Sequence, residues 1–237
     1  MTRNQSRRQF INSTTVLGIT FVLKPFDGFL TGKPGPDHFL FGCSSLQAGI
    51  DFIKDQTGVE AIKGGKHPNV GTHNALISLG EKSYLEIIAP DPEAASLVPG
   101  YEFLKGLNAP TLFMWAAHTE NMDELLRQVQ QAGYKNSGIN PGSRQRTDGS
   151  VLKWRALSVE TPAAEGVPFF IEWDKSSLHP SVNSPKGCTI ESFEIKSAEP
   201  EILKEVFRQL QIGIPVIAGA QFKLQLKIKS PRGIILL

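Results

Sequence analysis

The chain has 237 residues, of which 40% are hydrophobic and 20% charged, so it can bury a core as one large domain or a pair of fused modules. Its formal net charge of +2 is small and its basic residues are dispersed, which indicates a small-molecule partner and no nucleic-acid surface. The two cysteines, Cys43 and Cys188, are too few for a disulfide framework. We expect two small buried hydrophobic residues there, with a disulfide between them as the alternative.

Residues 1–35 are predicted to be an export signal and linker. Arg7 and Arg8 precede an uncharged run of 12 residues from Asn12 to Leu23, and this layout resembles a twin-arginine signal. The run is too short to span a bilayer, so we expect no transmembrane domain. The resemblance implies export of a folded protein across the cytoplasmic membrane to the periplasm or cell envelope. An accidental arginine pair is the alternative, and the absence of an A-x-A pattern leaves cleavage open.

Residues 36–92 are predicted to form a first module with the order strand, helix, strands. The segment 37–45 is predicted to be a strand, and 46–58 an amphipathic helix with one apolar face. Further strands are expected up to about residue 90. A unit of this kind buries one face of its strands under the helix.

A second module with the same order is predicted over residues 110–174. Its helix is expected at 121–133, again with one apolar face. Its strands are expected at 110–119, near 151–160 and at 167–173. The polar stretch 136–149 is predicted to be a loop or hairpin tip.

The order occurs a third time over residues 187–237. A strand is expected at 187–197 and a helix at 199–211, after a linker at 178–187. Apolar residues alternate with Lys and Gln over 222–229, which predicts a half-buried strand. A third module without a partner predicts a homodimer, because it can pair with its copy across a two-fold axis.

Several short motifs in this order resemble the glyoxalase-like domain of the vicinal oxygen chelate superfamily. They are Asp37-His38 at the start of a strand, GTHNALISLG, YLEIIAPDP, and PFFIEWD followed by His179-Pro180. The resemblance covers residues 36–180, with the third module as an added half-domain. It implies an α+β fold of repeated βαβββ modules whose curved mixed sheets enclose a cavity. It also implies a divalent metal ion held by inward residues on the first and last strands of a module.

Three residues match the metal-binding positions of that family. His38 matches the ligand on the first strand, Glu86 the ligand on the last strand, and His73 the histidine of the GTHN motif. Imidazole and carboxylate groups suit a divalent ion that polarises a substrate oxygen. The alternative for His38 is a hydrogen-bonded core histidine. The alternative for His73 is a residue that fixes its own loop or binds substrate.

The turn between their two strands decides whether His73 and Glu86 can share an ion. A turn centred on residues 81–82 separates them by about 13 Å. A type II′ turn at residues 80–81 makes them diagonal neighbours at roughly 7 to 8 Å. A three-residue loop puts the two side chains on opposite faces of the sheet. All three turns are compatible with the sequence.

The second module carries fewer candidate ligands. Met114 occupies the position that corresponds to His38. Glu172 is predicted to be a general base, and the alternative is an exposed carboxylate if the strand register slips by one residue. His67 and His179 each precede a proline, and we expect structural roles for both, with His179 lining the mouth of the cavity as the alternative.

Two functions remain compatible with the sequence. The first is a divalent-metal-dependent enzyme of the lyase, isomerase or oxygenase type that acts on a small oxygen-bearing substrate. The second is a metal-free protein that binds a small apolar or aromatic molecule between tryptophans. The tryptophans are Trp115, Trp154 and Trp173. Three arginines are expected to be either solvated or bound to a carboxylate, namely Arg144, Arg146 and Arg155. The fold does not decide between the two functions.

Overall fold

The computed structural model describes residues 34–146, 149–163 and 165–237, so the arginine pair and apolar run of the predicted export signal lie outside the described residues. The first module contains β1 (Gly35–Gly42), α1 (Leu46–Thr57), β2 (Ile62–His67), β3 (Thr72–Ser78) and β4 (Tyr84–Pro90). Helix α1 begins after Ser45, whose hydroxyl accepts a hydrogen bond from the Ala48 amide. It ends at Gly58, whose φ of 78° is favourable for glycine.

The second module follows a 3-10 helix at Glu102–Gly106. It contains β5 (Thr111–His118), α2 (Met122–Gln131), β6 (Lys135–Asn136), β7 (Asn140–Gln145), β8 (Val151–Leu157), β9 (Val159–Glu160) and β10 (Phe169–Trp173). Strand β7 lies in the stretch predicted to be a loop, and that prediction was wrong for residues 140–145. Because β7 is an edge strand, it tolerates polar residues and Pro141.

The third module follows α3 (Pro180–Asn183), a four-residue helix within the predicted linker. It contains β11 (Thr189–Ser197), α4 (Pro200–Gln209), β12 (Val216–Ala218), β13 (Lys223–Ser230) and β14 (Gly233–Leu236). Its strands form a separate sheet in the order β12-β11-β13-β14. Within the second module, strands β6 and β9 form a small two-stranded sheet of their own.

The first two modules share one curved sheet of eight strands. Its order is β2-β3-β4-β1-β5-β10-β8-β7, so each module contributes four strands and β1 pairs with β5 at the centre. Curvature brings the two ends of the sheet together. Arg144 of β7, at one end, donates a hydrogen bond of 3.0 Å to Asn74 of β3, near the other. The sheet therefore nearly closes around a cavity, which confirms the predicted α+β fold.

The two faces of this sheet differ in chemistry. One face carries an apolar core under the helices, with Phe39, Phe41, Ile77, Leu85 and Ile87 packed in one cluster with Ile50 and Ile53 of α1. Alternate residues of a strand point to opposite faces. His38 pairs with Tyr84 and Leu40 with Glu86, so these residues share the other face. Polar side chains are thereby collected on the inside of the curve.

The third module packs into the core of the first two. The Phe193 ring of β11 meets the Phe39 ring edge-on at 4.8 Å and the Trp115 ring at 5.2 Å. Trp115, which is 1% exposed, is therefore a core residue between modules. Of the three tryptophans, only Trp154 and Trp173 line the large cavity.

The helices of the protein are short. The longest among the described residues, α1, has 12 residues, whereas an apolar helix needs about 20 residues to cross a bilayer. Across the described ranges, no helix is long and apolar enough to span a membrane.

Both cysteines are buried and both thiols are free. Cys43 follows β1, and its thiol donates a hydrogen bond of 3.3 Å to the carbonyl of Ile88. The alternative of a disulfide between Cys43 and Cys188 is therefore not the arrangement in this structure.

Candidate functional site

A β-bulge at the start of β1 places two successive polar residues together. The pairing of β1 with β5 shifts between Pro36 and His38, so Asp37 is the extra residue. The Nδ1 atom of His38 lies 2.7 Å from Oδ1 of Asp37. An ionised carboxylate only accepts hydrogen bonds, so this Nδ1 carries the proton. The Nε2 atom of His38 then faces Glu86.

Asp37 is held from three sides. Its Oδ2 accepts a hydrogen bond of 2.9 Å from the Trp173 indole and lies 3.3 Å from Nε2 of His179. Burial would raise the pKa of Asp37, but hydrogen bonds and charge from His179 and His38 hold it well below its ordinary value. The ionised carboxylate therefore fixes both the orientation and the tautomer of His38.

Glu86 is the centre of the polar cluster. Its Oε2 lies 3.7 Å from Nε2 of His38, and its Oε1 lies 3.5 Å from Nε2 of His67. These distances are too long for hydrogen bonds. Burial would raise the pKa of Glu86, but the imidazoles of His67 and His38, a hydrogen bond from Asn74 and the charge of Arg144 lower it. A carboxylate that is 7% exposed is thus kept ionised between two imidazoles.

The hairpin between β3 and β4 has a three-residue turn. The amide of Leu79 donates to the carbonyl of Ser83, and residues 80–82 lie between them. Leu76 therefore pairs with Glu86. Asn74 shares that face, and its Nδ2 donates a hydrogen bond of 2.5 Å to Oε1 of Glu86.

The same register turns His73 to the opposite face, where it pairs with Ala89. Its side chain is partly exposed beside Lys66 and Asp91, whose charges act on it. Burial lowers the pKa of His73. The structure does not bring His73 together with Glu86. Leu76 lies opposite Glu86, and His73 is three positions from Leu76 on the same strand, so its side chain points to the other face.

His67, and not His73, is the histidine that lies close to Glu86 from this part of the sheet. The pairing of β2 with β3 shifts between Lys63 and Gly65, and this bulge sets His67 opposite Thr72 on the cavity face. Its Nδ1 lies 3.0 Å from the Thr72 hydroxyl, which leaves Nε2 facing Glu86. Burial lowers the pKa of His67, which favours the neutral ring, and its Nε2 also lies 3.3 Å from Nδ2 of Asn74, within hydrogen-bond distance.

The sequence interpretation of His67 as a structural loop residue missed this position. The adjacent Gly64 and Gly65 within a strand are the signal that could have found it, since glycines in strands often mark bulges. A bulge moves every later residue of the strand by one position relative to its partner. Without the bulge, Lys66 rather than His67 would lie on the cavity face.

Glu172, on β10, lines the large cavity, but its carboxylate is bound by other residues. Its Oε1 accepts a hydrogen bond of 3.4 Å from the Met122 amide, at the start of α2. Its Oε2 accepts one of 2.5 Å from Nε of Arg155, which also binds Asp123. The structure does not bring Glu172 together with His38 and Glu86. Its carboxylate is engaged in holding α2 against β8 and β10.

The polar cluster borders a cavity of about 1440 Å³, since His38 and Glu86 adjoin the lining residues Asp37 and His67. Asp37, His67 and His179 line this cavity together with Trp154 and Trp173. The two indoles form a cross-strand pair with ring centroids 5.6 Å apart. The cavity thus combines a polar floor with an aromatic wall, a combination typical of small-molecule sites.

Whether the cluster fits a divalent metal ion depends on its donor atoms. In the part of the chain that the structure describes, no three His, Cys, Asp or Glu side chains are already arranged to hold a metal ion. His38, His67 and Glu86 nevertheless present two imidazole nitrogens at 3.5 and 3.7 Å from one carboxylate. Ligand atoms about 2.1 Å from a tetrahedral ion lie about 3.4 Å apart, and each imidazole nitrogen is near that distance from one oxygen of Glu86, His38 from Oε2 and His67 from Oε1.

The surroundings of these donors also suit a metal ion. Asp37 supports His38 and the Thr72 hydroxyl supports His67, as the second layer around a metal commonly does. Two imidazoles and a carboxylate suit first-row divalent ions. The donor set therefore fits in its chemistry, although the contacts of the Asn74 amide with Glu86 and with Nε2 of His67 would have to yield.

A nearly closed sheet from two βαβββ modules, which encloses a cavity with ionisable groups in its wall, defines a protein of the glyoxalase fold. A family model described as "Glyoxalase-like domain" matches residues 37–211, and the chain belongs to this family. The match continues beyond residue 180 through α4 of the third module. No curated protein matches the chain.

The chain is similar to several solved structures. A hypothetical protein from Staphylococcus aureus is 18% identical, with a TM-score of 0.59 over 85% of this chain and 83% of that chain. A methylmalonyl-CoA epimerase from Mycobacterium tuberculosis is 18% identical, with a TM-score of 0.42 over 61% of this chain and 90% of that chain. A hypothetical protein from Bacillus halodurans is 16% identical, with a TM-score of 0.44 over 61% of this chain and 96% of that chain. The first of these likenesses supports the fold alone.

Proposed function

We propose that this protein is a divalent-metal-dependent enzyme of the lyase, isomerase or oxygenase type that acts on a small oxygen-bearing substrate. The observation that carries the proposal is the Glu86 carboxylate between the Nε2 atoms of His38 and His67. The cluster borders a cavity large enough for a small molecule. A bound ion would supply a Lewis acid that polarises a substrate oxygen.

The protein side chains have separate tasks in this proposal. Asp37 holds the proton on Nδ1 of His38, and Thr72 orients His67, so both Nε2 atoms stay available as ligands. The stacked ring of Tyr84, 4.7 Å from the His38 ring, excludes water from one side of that imidazole. These contacts keep the donors oriented before any substrate binds.

His67 replaces His73 as the third ligand in this proposal, because only His67 shares a face with Glu86. The role of Glu172 as general base stays a prediction, and its contacts with Arg155 and the α2 amide give it a structural task. Export through a twin-arginine signal and a homodimer likewise remain proposals.

Metal analysis of the purified protein tests the proposal. We expect about one equivalent of bound divalent metal in the wild type after incubation with Zn²⁺, Mn²⁺, Ni²⁺ or Co²⁺ and removal of free ion. The variants His38→Ala, His67→Ala and Glu86→Gln should lose it, since each removes one of three ligands. Asp37→Asn should weaken metal binding by about 10- to 100-fold, because it removes only the support of a ligand.

His73→Ala is the matched control, since it removes an imidazole from the same hairpin but from the opposite face. It should keep the wild-type metal content. A wild type that binds none of the four ions would contradict the proposal. The Trp154 and Trp173 pair would then favour the second candidate, a metal-free protein that binds a small aromatic molecule.

A further inference from the structure

Arg144 extends the polar cluster toward the aromatic wall of the cavity. It lies on edge strand β7, opposite Leu152 of β8, and shares its face with Gly142, which lines the cavity. Its Nη1 donates a hydrogen bond of 3.0 Å to Oδ1 of Asn74. The guanidinium is therefore anchored at one nitrogen and half-buried.

The charge of Arg144 has no direct partner among the described residues. Arg155, by contrast, forms ion pairs within 4 Å with the carboxylates of Glu172 and Asp123. Within the described ranges, Arg144 contacts only the neutral amide of Asn74. A planar guanidinium has five N–H donors, and a carboxylate matches two of them at once.

Two glycines leave room for this side chain. A Cβ atom on Gly64 would lie 2.9 Å from Nη1 of Arg144, and one on Gly65 would lie 3.3 Å from it. The β2 bulge that presents His67 therefore also admits the guanidinium between the two edges of the sheet. The position of Arg144 is built into the fold and is not that of a freely solvated arginine.

Charge balance favours an anionic ligand, on the assumption of the proposed metal site. Asp37 and Glu86 together carry two negative charges, which a divalent ion balances. The positive charge of the half-buried Arg144 then remains, and away from open solvent a guanidinium attracts a carboxylate more strongly. A ligand with one negative charge restores neutrality.

The neighbouring indole defines the rest of the ligand. Trp154 pairs with Gly142, and a Cβ atom there would overlap the Trp154 ring, so the indole lies against the β7 backbone. Positions 142 and 144 are two residues apart on one strand, or about 7 Å. An aromatic ring and a carboxylate on the same small molecule can reach the indole and the guanidinium together.

We propose that Arg144 binds the carboxylate of the substrate and that the substrate is a small planar carboxylic acid whose ring or double bond lies against Trp154. This inference rests on the proposed function, since it names the substrate class of the same site.

Benzoate and benzamide are the probes, because they share a ring and differ in the charged group. Binding is followed by quenching of tryptophan fluorescence and by calorimetry, with metal-loaded and EDTA-treated protein. We expect wild-type protein to bind benzoate about tenfold more tightly than benzamide. Arg144→Gln should weaken benzoate binding about tenfold and leave benzamide within twofold, and Arg144→Lys should give an intermediate value.

Arg208→Gln is the matched control, because it removes the same charge from a surface pair with Glu205 on α4. It should keep the preference for benzoate. Equal affinity of wild type for both probes, no binding of either, or an equal loss of both in Arg144→Gln would overturn the assignment of Arg144.

The outcome is separable from that of the metal proposal, because metal content is measured on the same samples. Arg144→Gln should keep its metal. A metal-free protein with an Arg144-dependent preference for benzoate would support the carboxylate site and refute the metal enzyme. A metal-loaded protein without that preference would support the metal enzyme and refute the carboxylate site.

Discussion

Burial controls the chemistry of the Cys43 thiol. The residue is 2% exposed, and its thiol donates a hydrogen bond to the Ile88 carbonyl that a thiolate could not make. Burial raises the pKa of Cys43 from 9.0 to about 11, against a smaller opposite effect of the Gly49 backbone. The folded protein therefore keeps this thiol protonated and unreactive in mildly alkaline solution.

This shift makes part of the stability pH-dependent. Because the pKa is raised on folding, the unfolded chain loses its proton first, so the contribution is complete below pH 9.0 and is lost as the pH rises toward about 11. We expect the wild type to lose about 1 kcal/mol relative to Cys43→Ala when the pH rises from about 8 to about 10. Urea unfolding of both proteins at both pH values measures this difference. An unchanged difference would show that the thiol titrates normally in the folded state.

The individual site residues differ in how well the sequence predicts them. His38 and Glu86 are predicted as neighbours because they lie on the first and last strands of one module, and the structure places these strands side by side. Their role as ligands stays a prediction. The face of His73 depends on whether Gly80 starts a two-residue or a three-residue turn, and alternation within the strands does not encode that choice. His67 lies beyond a bulge, which reverses the face that simple alternation assigns.

At the scale of elements, helices are more predictable than edge strands. The predicted helix 121–133 and the observed α2 differ by one or two residues at each end, because a single apolar face defines the helix. Strand β7 has no apolar pattern, since it pairs with β8 on one side and carries its partly buried residues on the cavity side. Its Arg144 is consequently hidden from pattern recognition.

The β2 bulge is the element on which the site geometry depends. Gly64→Ala would place a Cβ atom against Oδ1 of Asn74 and 2.9 Å from Nη1 of Arg144. Both side chains must move, so we expect a loss of about 1 to 3 kcal/mol in the free energy of unfolding. We also expect weaker metal binding, because Asn74 and His67 both contact Glu86. Urea unfolding and metal titration measure the two effects.

Gly213→Ala is the control for this substitution, since a Cβ atom there has no neighbour within 4 Å and the backbone is not in the left-handed region. It should change stability by less than about 0.5 kcal/mol and leave metal binding intact. If Gly64→Ala behaved like Gly213→Ala, the bulge would not be holding the site together.

At the scale of the whole molecule, the repeated order of elements predicts the paired modules but not how the third joins them. That junction depends on contacts between residues far apart in the chain, such as Phe193 with Phe39 and Trp115. An apolar residue on a predicted strand face indicates burial without naming its partner. The sequence therefore predicts three similar units, and the structure adds that they share one core.

A shared core predicts a single cooperative unfolding transition. Phe193 is 1% exposed and touches the rings of both other modules, so Phe193→Ala should lower the free energy of unfolding by about 3 to 5 kcal/mol. Tryptophan fluorescence, which reports on the second module, and far-ultraviolet circular dichroism, which reports on all three, should give coincident urea transitions. Phe103→Ala is the control, because that ring is 42% exposed and should cost less than about 1 kcal/mol. Separate transitions for the two signals in the wild type would instead mean that the third module unfolds on its own.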